Sequence, residues 1–192
     1  MPADIENHTE AQHMQLAAII LAASTGLRLS DALVDGESVI LTVMATQTEA
    51  PCPDCGQIST RIHSHYQRTP GDLAIAGQAV RLRLHVRRFF CANRKCVRKT
   101  FAERLPEIIK PFSRRTNRLT KALCALGQAL GGEAGARYAA QLAIPTSPDT
   151  LLRLVCNADI RVSTTPTVLG VDDWAWKKGR TYGTILVDLE QH

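Results

Sequence analysis

The chain has 192 residues, 45% of them hydrophobic, with 23 Lys and Arg against 18 Asp and Glu for a formal net charge of +5. This composition argues against general disorder and leaves room for one ordinary domain or two to three small ones. The longest apolar run, Leu16–Ala23, is far short of the roughly 20 residues of a membrane span, and it has neither the basic flank nor the cleavage site of a signal peptide. The chain is therefore expected to be soluble and cytoplasmic, with no membrane partner. Its six cysteines then fit a reducing compartment, as metal ligands or core residues rather than disulfides.

The first module is expected over residues 1–50, a helix followed by a hairpin. The hairpin is "LRLSDALVDGESVILTV", with Asp35 and Gly36 at the turn. This segment is acidic, with seven carboxylates against Arg28. Residues 61–121 reverse the balance, with sixteen Lys and Arg against Asp72, Glu103 and Glu107. A block this basic suggests a polyanion partner, and a merely solvated basic face is the alternative.

A second module, residues 51–105, brackets much of that block with two cysteine pairs, "PCPDCG" (Cys52, Cys55) and "FFCANRKC" (Cys91, Cys96). Two close pairs can complete a closed tetrahedral site, so these four cysteines are expected to hold a structural zinc ion. His63, His65 and His85 lie between the pairs and are left out of the site, because a histidine in a strand is usually packed or solvated. In "AVRLRLHVRRFF" the residues alternate. Val80, Leu82, Leu84 and Val86 share one face; Arg81, Arg83, His85 and Arg87 share the other. Arg61, His63 and His65 are expected to share a face in the same way. The reading is a small zinc ribbon with an apolar inside and a cationic outside that can neutralise phosphates, with Arg81, Arg83, Arg87 and Arg88 as the candidate DNA contacts.

Residues 106–163 switch to helical periodicity. Leu119, Leu123, Leu126 and Leu130 share one side, and Gly131–Gly132 close the helix. A second helix over roughly 133–142 presents Tyr138 and Leu142 as an apolar stripe. The next begins with Ser147 as N-cap, Pro148 at its first position and Asp149 complementing the helix dipole. Ile144 can pack in the turn between them, and Cys124 and Cys156 are expected to face the core. This pattern suggests a helix-turn-helix, with an ordinary helical hairpin as the alternative. The last helix would offer Asp149, Thr150 and Arg153 to a major groove.

Residues 164–192 read as a hairpin. "TVLGVDD" is a strand ending in acids, "WAWKKGR" a loop, and "TYGTILVDL" the second strand. Asp172 stands where a divalent cation could be held, or it is a solvated acid at a strand end.

Four stretches, "CPDCGQISTRIHSHYQRTPGDL", "VRLRLHVRRFFCANRKCVRKTFAERLP", "GGEAGARYAAQLAIPTSPDTLLRL" and "LGVDDWAWKKGRTYGTILVDLE", together resemble the N-terminal portion of a bacterial insertion-sequence transposase of the ISL-three group. The resemblance implies an α+β, multi-module chain. A four-cysteine zinc ribbon leads to a helical helix-turn-helix region and then to the first β-hairpin of a truncated ribonuclease-H-like domain. Asp172 would be the first aspartate of an Asp-Asp-Glu triad that binds Mg2+ in an intact relative. With its partners beyond residue 192, this chain is expected to be inactive in strand cleavage and transfer. The function implied is recognition of double-stranded DNA at the element's terminal inverted repeats, in the nucleoid. Alternatives are a stand-alone regulator that inhibits transposition, acting on itself or a full-length transposase, and a zinc-dependent protein-interaction module.

Overall fold

A computed structural model describes residues 26–36, 38–158, 166–177 and 179–189. The helix expected at the start of the first module lies outside the described residues. The described residues fall into two compact units, one ending at Asn157 and one beginning at Ala158.

The first unit is built on a six-stranded sheet. Strands β1 (Leu27–Asp35) and β2 (Ser38–Ala45) form an antiparallel hairpin, paired up to Asp35 and Ser38. Strand β7 (Gln78–Phe90) is the long central one. On one edge it runs parallel to β2, with Leu41 opposite Leu82 and Val43 opposite Leu84. On the other it pairs antiparallel with β5 (Ile62–Arg68) and β6 (Gly71–Ile75), while β8 (Thr100–Ala102) pairs antiparallel with Arg88–Phe90 on the β2 edge, beyond the end of β2.

Residues 27–45 thus share the sheet of the second module. The physical reason is the apolar face of β2. A lone two-stranded hairpin cannot bury such a face, and here Leu41 and Val43 are buried beside Val80, Leu82, Leu84 and Val86. Ile108 and Ile109 belong to the same core, and Ile108 and Ile109 each donate a backbone hydrogen bond to the Leu105 carbonyl, closing a turn over it.

The period-2 pattern of β7 holds from Val80 to Val86 and then changes meaning. Phe89, on the arginine face by alternation, is fully buried in a second core with Ala50, Cys52, Cys96 and Phe101. Strand β7 therefore supports one core on each face. Arg88, on the Val80 face, is exposed.

Helix α1 (Asn117–Gln141) starts at Thr116, whose side chain caps Leu119 N–H, and breaks at Gly131 (φ 72°, ψ −168°). That conformation is essentially restricted to glycine, so Gly131 divides the helix where the sequence placed a stop. Helix α2 (Pro148–Cys156) is capped by Ser147 and has Pro148 in its first turn. It packs into a glycine-lined side of α1. A Cβ on Gly127 would sit 2.9 Å from Val155 Cγ2, and one on Gly135 would sit 2.8 Å from Leu151 Cδ1.

Three expectations for this region are corrected. Tyr138 and Leu142 are exposed at 49% and 44%, and Ala139 with Gly135 forms the packed face instead. The close approach of α2 admits small side chains there and excludes large ones. Cys156 is exposed, whereas Cys124 is half-buried with its thiol 3.7 Å from the Leu154 carbonyl.

The second unit contains the hairpin β9 (Leu169–Lys177) and β10 (Thr181–Asp188). Strand β9 runs through the acids, so the expected loop "WAWKKGR" is mostly strand and Asp172 lies mid-strand opposite Ile185. Trp174 pairs with Gly183, and the indole lies where a Gly183 Cβ would be. An aromatic ring over a cross-strand glycine favours extending the ladder.

Candidate metal centre and nucleic-acid interface

The first cysteine pair sits in a turn closed by the short ladder of β3 (Ala50–Pro51) and β4 (Ile58–Ser59). Gly56, at φ 74°, donates its N–H to the Cys52 carbonyl at 2.8 Å, and Cys52 N–H reaches the Gln57 carbonyl at 2.9 Å. These bonds fold the backbone so that Cys52 and Cys55 face the same way. The second pair is held at the end of β7. Cys91 N–H donates to the Lys99 carbonyl at 2.8 Å, and Cys96 N–H donates to the Asn93 carbonyl at 3.1 Å. Phe89 and Phe101, stacked at 5.9 Å, brace this corner from inside.

The four Sγ atoms all lie within 4.8 Å of one another, and those of Cys55 and Cys91 are 3.6 Å apart. Tetrahedral zinc with bonds of about 2.3 Å needs sulfur–sulfur edges of about 3.8 Å. The donor set therefore fits a structural Zn2+ ion with sub-ångström adjustments. Among the described residues no histidine belongs to this cluster. His63 instead packs edge-on against Phe90 at 4.8 Å and reaches Ser64 Oγ at 2.9 Å.

The thiols have unequal environments. Burial pushes Cys91 up to about 12, with the neighbouring cysteines adding to the rise. Burial also pushes Cys52 upward, but the backbone N–H groups of Asp54 and Cys55 outweigh it and bring that thiol down to about 7. Cys96 is raised by burial. Four thiolates this close repel one another strongly, and a divalent cation removes that repulsion.

Residues 48–96 match the family described as the zinc-finger of transposase IS204/IS1001/IS1096/IS1165. The matched segment begins just before the first knuckle and ends on Cys96, so it contains all four thiols and all of β7. No curated protein and no solved structure matches the chain. The segment is similar to the zinc-finger of these transposases.

The candidate DNA contacts separate in space. Arg81 is exposed and Arg83 half-buried, both on the outer face of β7. Arg87, on the same face, belongs to the protein's own structure. It pairs with Glu103 at 2.6 Å, its backbone N–H donates to the same carboxylate at 2.8 Å, and its guanidinium also donates to the Gln47 carbonyl. With side chains 16% and 4% exposed, the pair is nearly buried. Arg88 faces the opposite side, over the Tyr66 ring at 5.4 Å. A bulge between Ile62 and Ser64 separates His65 from Arg61, which stacks on Phe90 at 4.5 Å.

On α2, Asp149 and Arg153 are exposed and Thr150 half-buried. The Thr150 hydroxyl shares a 2.9 Å hydrogen bond with Ser147, and Arg153 Nε donates to the Asp149 carbonyl at 3.3 Å. Asp172 is exposed on β9, and one of its oxygens accepts the Asp173 N–H at 2.8 Å. Among the described residues no group of three or more carboxylates converges as the thiols do.

One positioning element escaped the sequence reading. Asp72 is buried on β6, where it accepts from Thr116 Oγ1 at 2.7 Å and from Arg118 Nε at 2.7 Å. This network ties the start of α1 to the sheet. Nothing in the spacing of Asp72 along the chain marks it, because its partners lie more than forty positions away.

Proposed function

We infer that this chain carries the DNA-recognising region of an insertion-sequence transposase. The observation that carries the reading is the four-thiol cluster, in a segment matching a transposase zinc-finger, at the end of a strand that presents Arg81 and Arg83. The zinc ion has a structural role: it fastens the C-terminal end of β7 and so helps hold the strand that carries the cations. Those cations engage phosphates, which orient the protein without reading sequence.

Base reading is assigned to α2 as the second helix of a helix-turn-helix. Its support is local. Gly131 breaks the preceding helix, Ile144 packs in the turn, and the Ser147 cap leaves Asp149 and Arg153 exposed on α2. The target is the element's terminal inverted repeat, and binding it would place the protein on the nucleoid. Asp172 is proposed as the first carboxylate of a Mg2+-dependent cleavage site. Its mid-strand exposure supports that role, which needs further carboxylates beside it.

A gel-shift comparison tests this reading. The zinc-loaded chain should shift an inverted-repeat duplex from an element of this group at lower concentration than a scrambled duplex, at moderate salt. Equal, purely salt-driven binding to both would overturn specific recognition, and zinc binding with no DNA shift would favour a protein-interaction module.

A further inference from the structure

Phe112 is 92% exposed, although it is a large apolar side chain, and its backbone lies at φ 61°. Bulky residues rarely adopt that left-handed conformation, and they hold it only where the surroundings impose it. The surroundings here are specific. Ser113 N–H donates to the Lys110 carbonyl at 3.2 Å, and Ser113 Oγ donates to the Arg115 carbonyl at 2.7 Å. The Arg68 guanidinium donates to the Ser113 carbonyl, and Gly71 N–H donates to the Arg114 carbonyl at 2.9 Å. The fold holds the ring out in solvent.

Phe112 stands at the rim of a cavity of about 400 Å3 between β5, β7 and residues 98–112. Tyr66, Arg68, Arg88, Arg98 and Arg104 are among the residues that line it. Its one acid, Glu103, is already paired with Arg87. Among the described residues no carboxylate pairs with Arg88, Arg104, Lys110 or Arg114. Arg68 already donates to the Ser113 carbonyl and Arg98 is paired with Asp54 at 2.7 Å, so Arg88 and Arg104 are the lining cations left for a partner. An exposed aromatic ring beside such cations suits duplex DNA, in which cations take the phosphates and an apolar side chain enters between base pairs.

We propose that this groove is a second DNA-contacting surface, on which Phe112 wedges into a base step while Arg88 and Arg104 hold the flanking phosphates. It lies on the face of β7 opposite Arg81 and Arg83, so it adds a contact that the outer strand face does not supply. The inference rests on the DNA-binding reading above, and it goes beyond that reading in assigning a deformation of the duplex to one residue.

The test uses two 30-base-pair duplexes of mixed sequence, one fully paired and one with two central mismatches, each titrated with the zinc-loaded full chain. Mismatches remove much of the unstacking cost, so the wild-type chain should bind the mismatched duplex about tenfold more tightly. Phe112→Ala should bring that preference close to one while binding to the paired duplex stays within about threefold. Phe112→Trp should keep the preference. Because the ring is exposed, both variants should melt with the wild-type protein. Equal wild-type affinity for the two duplexes, or a preference that survives Phe112→Ala, would overturn the wedge and leave the DNA-binding reading intact. No binding to either duplex would overturn both.

Discussion

Arg87 shows how two arginines two pleat repeats apart can have unrelated roles. Arg83 and Arg87 lie on one face of β7, yet only Arg87 finds a buried carboxylate, Glu103, across the strand end. Removing one member of a nearly buried pair strands the other. Glu103→Ala should therefore lower unfolding stability by about 3 kcal/mol in denaturant titrations. Arg81→Ala should leave stability within about 0.5 kcal/mol and reduce the salt slope of DNA binding by about one. A large stability loss for Arg81→Ala, or none for Glu103→Ala, would reverse the assignment. Ala143 carries a milder version of the same lesson. It occupies the turn before α2 at φ 56°, where glycine pays no steric cost, so Ala143→Gly should raise the melting temperature with a gain of up to about 1 kcal/mol.

At the level of elements, the zinc ribbon was legible because its signals are local. Cysteine spacing sets the knuckles, and strict alternation from Val80 to Val86 sets which face of β7 is buried. What escaped the sequence reading depends on partners far along the chain. The parallel pairing of β2 with β7 joins strands some forty residues apart, and no periodicity announces it. The buried side of α1 was misassigned for a related reason. Tyr138 and Leu142 have helical spacing, but α2 approaches closely over the small residues Gly127, Gly135 and Ala139. Gly127→Ala tests that closeness. The new methyl group would meet the stiff Val155 side chain at 2.9 Å. Overpacking of about 1–3 kcal/mol should outweigh the gain in helix propensity of up to about 1 kcal/mol. A stabilised Gly127→Ala variant would mean that the two helices are not packed this tightly. In the second unit, Val171, Leu186 and Tyr182 are each more than 60% exposed on a two-stranded hairpin. Such a hairpin is marginal alone, and its amides should exchange with deuterium much faster than those of β7.

The whole first unit is organised around a strand that the metal site terminates. The Phe89–Phe101 stack and the four thiols fasten one end of β7, the hairpin of β1 and β2 covers one edge, and Asp72 fastens the helical segment to the sheet. The thiol environments give this arrangement a pH dependence. Zinc takes thiolates, and Cys91 is held up to about 12, so at neutral pH it must lose a proton when the ion binds. Cys52, at about 7, gains its proton as pH falls through neutrality. Zinc affinity should therefore weaken on acidification from pH 8 to 6 by about tenfold per pH unit for each thiol proton displaced, and competition with a chromophoric chelator would measure it.

The most direct test of the account is a titration of duplex DNA with the zinc-loaded chain and with the same chain after chelation, at one fixed moderate salt concentration. If zinc fixes the strand that carries the cations, chelation should weaken binding by more than about tenfold and flatten its salt dependence. Equal affinity and an equal salt slope with and without zinc would contradict the claim that the metal centre builds the DNA-binding surface.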